Sequence, residues 1–157
     1  MDRQAMEQRD DGPAAQGQVR AIGARARTIV DFAGHAVPAE ESRPAPERLV
    51  AGDPVQRTWN HYSDPTGQFH GGIWQGEAGA WRVIYDEHEE ELCCLLEGRV
   101  RLTDASGLVH EFSAGATFVV PGGFSGTWEN LTRVRKVYAI ATLHAAGVGS
   151  TGDSLKR

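Results

Sequence analysis

The chain has 157 residues, of which 24% are charged, and it carries a formal net charge of −5 at pH 7. A chain of this length can bury roughly 70% of its unfolded surface, so it can form a single domain without disulfides or metal ions. The basic residues are scattered and outnumbered by acidic ones, which argues against nucleic acid or a membrane surface as the main partner.

Cysteine usage and the N-terminal residues point to the cytoplasm. Cys93 and Cys94 are adjacent within an apolar run, and neighbouring residues of a strand point to opposite faces, so a disulfide between them would be strained. We therefore expect two reduced thiols. Residues 1–18 contain no apolar core of a signal peptide, and no run reaches membrane-spanning length. We expect a cytoplasmic protein that binds neither membrane nor nucleic acid.

Residues 1–43 are predicted to form a flexible arm, disordered or extended. Residues 1–26 lack a sustained apolar period, and Pro38–Pro46 combines prolines with paired acidic residues that disfavour regular structure. Between them, Thr28–Phe32 (TIVDF) is a β-prone run that cannot be stable alone, so we expect an edge strand. If that strand pairs with the sheet edge of a partner subunit, the protein is a homodimer. Residues 145–157 are predicted to be a flexible tail.

From residue 49 onward, short apolar or β-branched runs alternate with turn signals rich in Gly, Asp and Pro. We interpret LVAGDP (49–54) as a turn and Asp86–Glu90 as a polar loop. Strands are predicted at Gln56–Tyr62, Gln68–Gln75, Trp81–Tyr85, Glu91–Leu96, Arg99–Thr103, Leu108–Phe112, Thr117–Val120, Gly126–Asn130 and Arg133–Leu143. About eight or nine short strands without an amphipathic helix indicate an all-β sandwich or barrel over residues 44–144.

Two spaced motifs in this region resemble those of the cupin superfamily. The first motif has a Gly, a Glu and a second Gly six residues after the Glu, and the second has Gly, Pro-x-Gly and Asn. The matching residues are Gly79, Glu91 and Gly98 in the first motif, and Gly115, Pro121, Gly123 and Asn130 in the second. The resemblance implies an all-β fold, the cupin double-stranded β-helix or jelly-roll barrel, with a pocket inside it.

The wider context resembles one branch, the ureidoglycine aminohydrolase-type cupins and their single-domain relatives. The segments that carry this resemblance include PAPERLVAGDP (44–54), GGIW (71–74), VVPGGFSGTW (119–128) and VRKVY (134–138). The resemblance is specific for the fold and much less so for activity, because one fold hosts many functions.

The metal-binding positions depart from the family pattern. Cupins of the usual type hold a divalent metal with three His and one Glu, and Gly126 stands where the second motif has its His. The first-motif His pair falls on Ile84 and Asp86 or on their neighbours. Only Glu91 matches, so the residues themselves predict no metal site; the resemblance implies a divalent metal such as Mn, Zn, Ni or Fe. His61 and His70 flank the first strands and could turn toward the mouth of the pocket.

One carboxylate and one ammonium stand out on strands that are otherwise apolar. If Glu91 points into the barrel, Cys93 and Leu95 do so too, because side chains alternate along a strand. A buried carboxylate needs a partner, and Lys136 is the best candidate. The pair is either a catalytic or binding group or a purely structural ion pair, and both interpretations stay open.

Aromatic side chains are the other candidate pocket residues. We assign ligand-binding positions to Trp74, Tyr85, Trp128 and Tyr138. Trp59 and Trp81 are interpreted as core filling, since aromatic residues dominate core energetics.

Three function classes remain open from the sequence. The first is a cupin that binds a small molecule inside the barrel, with a degenerate, His-poor metal site. The second is a metal-dependent enzyme resembling ureidoglycine aminohydrolase, acting on a small nitrogenous or carboxylated metabolite. The third is a non-catalytic dimeric scaffold. The missing histidines favour the first class over the second.

Overall fold

The computed structural model of the protein describes residues 28–143. The expected flexible regions at residues 1–27 and 145–157 lie outside the described residues, as does His144. Within residues 28–143 no helix is long and apolar enough to cross a membrane.

Eleven strands and no helix make up the regular structure of the described residues. They are β1 (Glu40–Ser42), β2 (Leu49–Ala51), β3 (Gln56–Ser63), β4 (Phe69–Gly76), β5 (Gly79–Ile84), β6 (Glu89–Glu97), β7 (Arg99–Asp104), β8 (Val109–Ser113), β9 (Thr117–Val120), β10 (Ser125–Asn130) and β11 (Val134–Thr142). They form a six-stranded sheet in the order β1-β3-β4-β11-β6-β9 and a five-stranded sheet in the order β2-β5-β10-β7-β8. All pairs are antiparallel. The predicted all-β jelly roll is confirmed.

The alternation of side chains along each strand determines which residues face the core. On β6, Cys93 and Leu95 are buried, whereas Leu92 and Leu96 lie on the outer face and are more than two-fifths exposed. This period of two is what a sheet packed on one side requires. Strands β5, β7, β10 and β11 follow the same rule, and their inward residues form one core between the sheets.

A tight turn joins the two sheets between β6 and β7. Gly98 has φ of +85°, and a Cβ at this position would collide with the carbonyl of Arg133. Only glycine satisfies both conditions without strain. The turn therefore fixes where the chain leaves the six-stranded sheet and enters the five-stranded one.

The residues predicted as an edge strand, Thr28–Phe32, do not pair with any strand in the described part of the chain, and residues 32–34 form a turn. The Asp31 side chain accepts a hydrogen bond from the Ala33 backbone N–H at 3.0 Å, which stabilises the turn and ends the extended run. Phe32 instead stacks on His61 with ring centroids 4.6 Å apart. Pairing of Thr28–Phe32 with a partner subunit, and with it the homodimer, stays a prediction.

The observed edge strand is β1, which begins eight residues after Phe32, within the stretch Pro38–Pro46 that we interpreted as irregular. β1 pairs with β3, and one of its paired acids is stabilised there, because Arg57 donates to Glu41 Oε2 at 3.0 Å. Two other boundaries also need correction. β2 lies inside the predicted turn at 49–54 and pairs with β5. Glu89 and Glu90 belong to β6 rather than to a loop, and Glu89 is buried.

Candidate functional site

A cavity of about 70 Å³ lies between the two sheets. Its walls are mainly aromatic and come from both sheets, with Trp74 on β4, Trp81 on β5 and Trp128 on β10. Polar side chains reach it from β3, β6 and β11. The volume suits a few water molecules or a ligand of a few non-hydrogen atoms, and it is below the several hundred Å³ that drug-sized ligands need.

Glu91 and Lys136 meet at this cavity. Lys136 Nζ donates a hydrogen bond to Glu91 Oε1 at 2.8 Å, and the exposed fractions of the two side chains are 7% and 6%. Lys136 is aligned with Leu95 on β6, whereas Glu91 is aligned with Ile140 on β11. The two side chains therefore extend toward each other along the inner face to make contact.

Two neighbours complete the surroundings of this pair. Tyr85 donates its hydroxyl proton to Glu91 Oε2 at 2.6 Å, so each oxygen of the carboxylate has a partner. Lys136 Nζ also donates to Cys93 Sγ at 3.3 Å. A buried ion pair is tolerated only when such additional hydrogen bonds offset the loss of hydration.

Burial and mutual charge shift the titration of three groups here. Burial raises the pKa of the Cys93 thiol to about 12, and the Glu91 carboxylate adds to the effect. Burial also raises the pKa of Tyr138, again with Glu91 contributing. For Lys136, burial favours the neutral amine, but Cys93 and the Glu91 carboxylate favour the ammonium, and its pKa is raised overall. At neutral pH the site therefore holds a thiol, a phenol and an ammonium.

The ammonium group is also enclosed by aromatic faces. Lys136 Nζ lies 4.3 Å from the ring centroid of Trp128 and 5.2 Å from that of Trp74, distances at which the ring quadrupole attracts a cation. Trp81 stacks on Trp128 with centroids 6.5 Å apart, and Trp74 meets Trp128 edge-on at 6.2 Å. Trp128 is further fixed because its Nε1–H donates to Asn130 Oδ1 at 2.8 Å. The three indoles form one mutually supported wall.

The structure brings together all six residues that the sequence assigned to the site. Glu91, Lys136, Trp74, Tyr85, Trp128 and Tyr138 all line the cavity. The Tyr138 hydroxyl donates to Asn60 Oδ1 at 3.1 Å. The catalytic roles expected for Glu91 and Lys136 stay predictions.

Trp81 needs a correction, because it lines the cavity as well as filling the core. Trp59 does not line the cavity. It alternates with Thr58, an inward residue of the same strand, and so lies on the outer face.

Gln56 and Thr58 are the polar lining residues that the sequence did not reveal, and Val83 and Ile140 are apolar ones. Gln56 is only 1% exposed. The signal was a period of two at the start of β3, where Gln56 and Thr58 alternate with Arg57 and Trp59. Because both faces of this strand carry polar residues, the pattern alone did not tell which face was inside.

Comparison with known families shows which proteins this barrel is similar to. Residues 63–138 match the family model described as the EutQ-like cupin domain, and this span runs from the end of β3 into β11. It contains β4 to β10, part of β11 and most of the residues around the cavity. Over these residues the chain is similar to the cupin superfamily. No curated protein matches it.

Solved structures show how far the likeness to other cupins extends. A protein of unknown function from Pseudomonas syringae pv. tomato is 27% identical, with a TM-score of 0.58, over 68% of this chain and 46% of the other. The chain thus spans about half the length of that protein. The EutQ protein of Clostridium difficile is 16% identical, with a TM-score of 0.51, over 60% and 75% of the two chains.

A third structure, of a predicted oxalate decarboxylase from Thermotoga maritima, is 15% identical with a TM-score of 0.53, over 74% of this chain and all of the other. At this identity it shares the fold alone, as does the Clostridium difficile protein.

The residues of this cupin do not fit a divalent metal at the expected position. Among residues 28–143, no group of three His, Cys, Asp or Glu side chains converges. Glu91 is the single matching donor, and the Lys136 ammonium already occupies one of its oxygens. At Gly126, a Cβ would collide with the carbonyl oxygen of Thr103. The backbone approach of β10 to β7 thus leaves no room for a ligating side chain there.

The two histidines expected near the mouth are engaged elsewhere. His61 packs on Phe32, and its Nδ1–H donates to the carbonyl of His35 at 2.9 Å. His70 pairs with the Ser63 hydroxyl at 2.8 Å, and its Nε2 donates to the carbonyl of Gly67 at 3.1 Å. Neither lines the cavity. The cation beside Glu91 is therefore an ammonium group of the protein itself.

Proposed function

We propose that this cupin binds a small molecule in the cavity between its sheets. The observation that carries the proposal is the buried Glu91–Lys136 pair beside a wall of three contacting indoles, around an open volume. A concave, mostly aromatic site with a few convergent polar groups is the usual form of a ligand pocket. Natural cores are otherwise packed without such voids.

The pair favours an uncharged ligand. Glu91 and Lys136 neutralise each other, and both oxygens of Glu91 already accept hydrogen bonds. Lys136 is directed at Glu91, Cys93 and the Trp128 face. Neither charge is therefore available to pair with an ionic group of the ligand. The pair supports the aromatic walls, and those walls present a flat apolar surface.

Two alternatives from the sequence have less support. A metal-dependent enzyme of the ureidoglycine aminohydrolase type needs a ligand set, and the cavity offers one carboxylate that is already bonded. A scaffold without ligand would gain stability by filling the cavity with apolar atoms, since buried ion pairs can be replaced by hydrophobic residues at little or no cost. Retention of a polar, partly empty site favours binding.

A screen against a blocked variant tests the proposal. Thr58 is a half-buried residue at the cavity wall, so Thr58→Phe places a ring in the open volume. The matched control, Thr117→Phe, adds the same ring at an exposed position of the edge strand β9. Small acidic, basic and neutral metabolites are screened by saturation-transfer NMR. Compounds that bind wild type and the control but not Thr58→Phe support the proposal. Binding that is unaffected by Thr58→Phe, or no binding at all, contradicts it.

A further inference from the structure

Gln56 carries an unused hydrogen-bonding group at the cavity wall. It is the first residue of β3, and it pairs with Gly76 on one side and Ser42 on the other. The residue is 1% exposed. Neither Nε2 nor Oε1 of its side chain has a hydrogen-bond partner. A buried amide without partners is costly, because it has lost its hydration and gained nothing in return.

Three other polar side chains of the site already have hydrogen-bond partners. Tyr85 donates to Glu91, Tyr138 donates to Asn60, and Lys136 is held by Glu91. Among the described residues that line the cavity, Gln56 is the one whose buried side-chain atoms have no hydrogen bond. Gln56 therefore brings a donor and an acceptor, both without a hydrogen bond, to the wall that an occupant of the cavity would contact.

The chemistry of a primary amide restricts that occupant. The side chain offers N–H donors and a carbonyl acceptor next to each other. A group that satisfies both must place an acceptor beside a donor. A carboxylate offers only acceptors and would oppose the Gln56 oxygen, while an ammonium offers only donors. A ketone lacks the donor. A carboxamide matches on both sides and pairs with Gln56 through two parallel hydrogen bonds.

We infer that the cavity recognises a small uncharged carboxamide, whose amide group pairs with Gln56 while the remainder packs against the indole wall. The inference rests on the proposed function, because it names the ligand class for the same cavity. Three observations support it: the unpaired Gln56 amide, the mutual neutralisation of Glu91 and Lys136, and the volume of about 70 Å³. That volume is smaller than the roughly 150 Å³ of an engineered cavity that holds benzene, so the ligand has only a few non-hydrogen atoms.

Acetamide is the probe, with acetone and acetate as controls of nearly the same size. Protein labelled with ¹⁵N is titrated with each compound, and the side-chain amide signals are followed by NMR. The Gln56 signal is assigned by its loss in Gln56→Leu. Acetamide is expected to shift the Gln56 signal and to bind about tenfold or more tightly than acetone or acetate, since a site built for hydrogen bonding rejects analogues that lack the group.

Two variants separate recognition from folding. Gln56→Leu is expected to weaken acetamide binding by about tenfold or more, while its urea midpoint is at least that of wild type, because an unsatisfied buried amide has been removed. Gln56→Met keeps the unbranched shape and is expected to give the same result if the leucine variant does not fold. Gln68→Leu removes an amide from an exposed turn and is expected to leave acetamide binding unchanged.

The outcomes distinguish this inference from the proposed function. If acetone binds as tightly as acetamide, or if Gln56→Leu and Gln56→Met bind acetamide as wild type does, Gln56 does not select the ligand and the inference fails. If acetate or another compound shifts the cavity indole signals while acetamide does not, the cavity is a binding site for a different class, and only the inference fails. If no compound of any class shifts those signals, both fail.

Discussion

Removing the ammonium group of Lys136 tests whether the buried pair between β6 and β11 stabilises the fold. The variant is Lys136→Met, which keeps the length of the side chain and removes its charge. The Glu91 carboxylate then stays buried and keeps the hydrogen bond from the Tyr85 hydroxyl. The charge has lost its counterion without regaining water.

The expected loss is large for a domain of this size. Removing one member of a buried ion pair costs about 3–5 kcal/mol, because the remaining charge is uncompensated. The total stability of a typical domain is about 5–15 kcal/mol, so Lys136→Met should remain folded but with a much lower urea midpoint. Glu91→Gln should cost a similar amount, since it leaves the ammonium unpaired. The double variant should lose less than the sum of the two, with a coupling energy of about 2–3 kcal/mol.

Equilibrium urea unfolding, followed by tryptophan fluorescence, measures these energies. Trp128 and Trp74 contact the ammonium, so their emission reports on the site. Arg135→Met is the control, because it removes a positive charge from the neighbouring, exposed position of the same strand, and it should change stability by no more than about 0.5 kcal/mol. A cost below about 1 kcal/mol for Lys136→Met, with additive single variants, would refute the structural argument.

Three further expectations follow from the same geometry. Gly126→His should lower stability by about 1–3 kcal/mol, because the added Cβ collides with the Thr103 carbonyl. Elemental analysis of this variant should find no stoichiometric metal. A metal bound in molar amount would contradict this. Above pH 9 the unfolded chain loses the Cys93 proton while the folded protein keeps it up to about pH 12, so this thiol should lower stability by up to about 1.4 kcal/mol per pH unit. Urea midpoints of Cys93→Ala should fall less steeply with pH than those of wild type, because the raised pKa values of Tyr138 and Lys136 still contribute. Iodoacetamide at pH 8 should label the half-buried Cys94 and spare Cys93, and equal labelling by mass spectrometry would show that the site opens.

The fold could be predicted from the sequence because its strands are short and are separated by turn residues. The run Glu91–Leu96 has alternating burial and ends at Gly98, whose conformation only glycine adopts easily. The failures were at the edges. Glu40–Ser42 pairs on one side only and is stabilised by an ion pair to Arg57, a tertiary contact that local propensity does not contain. Thr28–Phe32 has β propensity, but the Asp31 turn and the packing of Phe32 decide its conformation.

The site was readable where polar residues interrupt apolar strands. Glu91 stood out because it opens an apolar run, and Lys136 stood out because its inward neighbours are apolar. The period of two placed each of them on the inner face of its strand. Gln56 did not stand out, because β3 is polar on both faces. The path of the backbone around the site also could not be predicted from the sequence. Motif spacing places Gly126 at the position of a ligand, but the close approach to Thr103 that excludes a side chain there is visible only in three dimensions.

The tryptophan side chains provide the most direct measurement of the central claim, that the cavity between the sheets is a ligand site. The protein has four tryptophans, of which Trp74, Trp81 and Trp128 line the cavity, whereas Trp59 lies on the outer face and serves as an internal control. Indole N–H signals, assigned by single Trp→Phe variants, are followed by NMR as a compound from the screen is added. The three cavity signals should move together and saturate while that of Trp59 stays in place. Movement of the Trp59 signal alone, or no movement with any binding compound, would contradict the assignment of this cavity as the site.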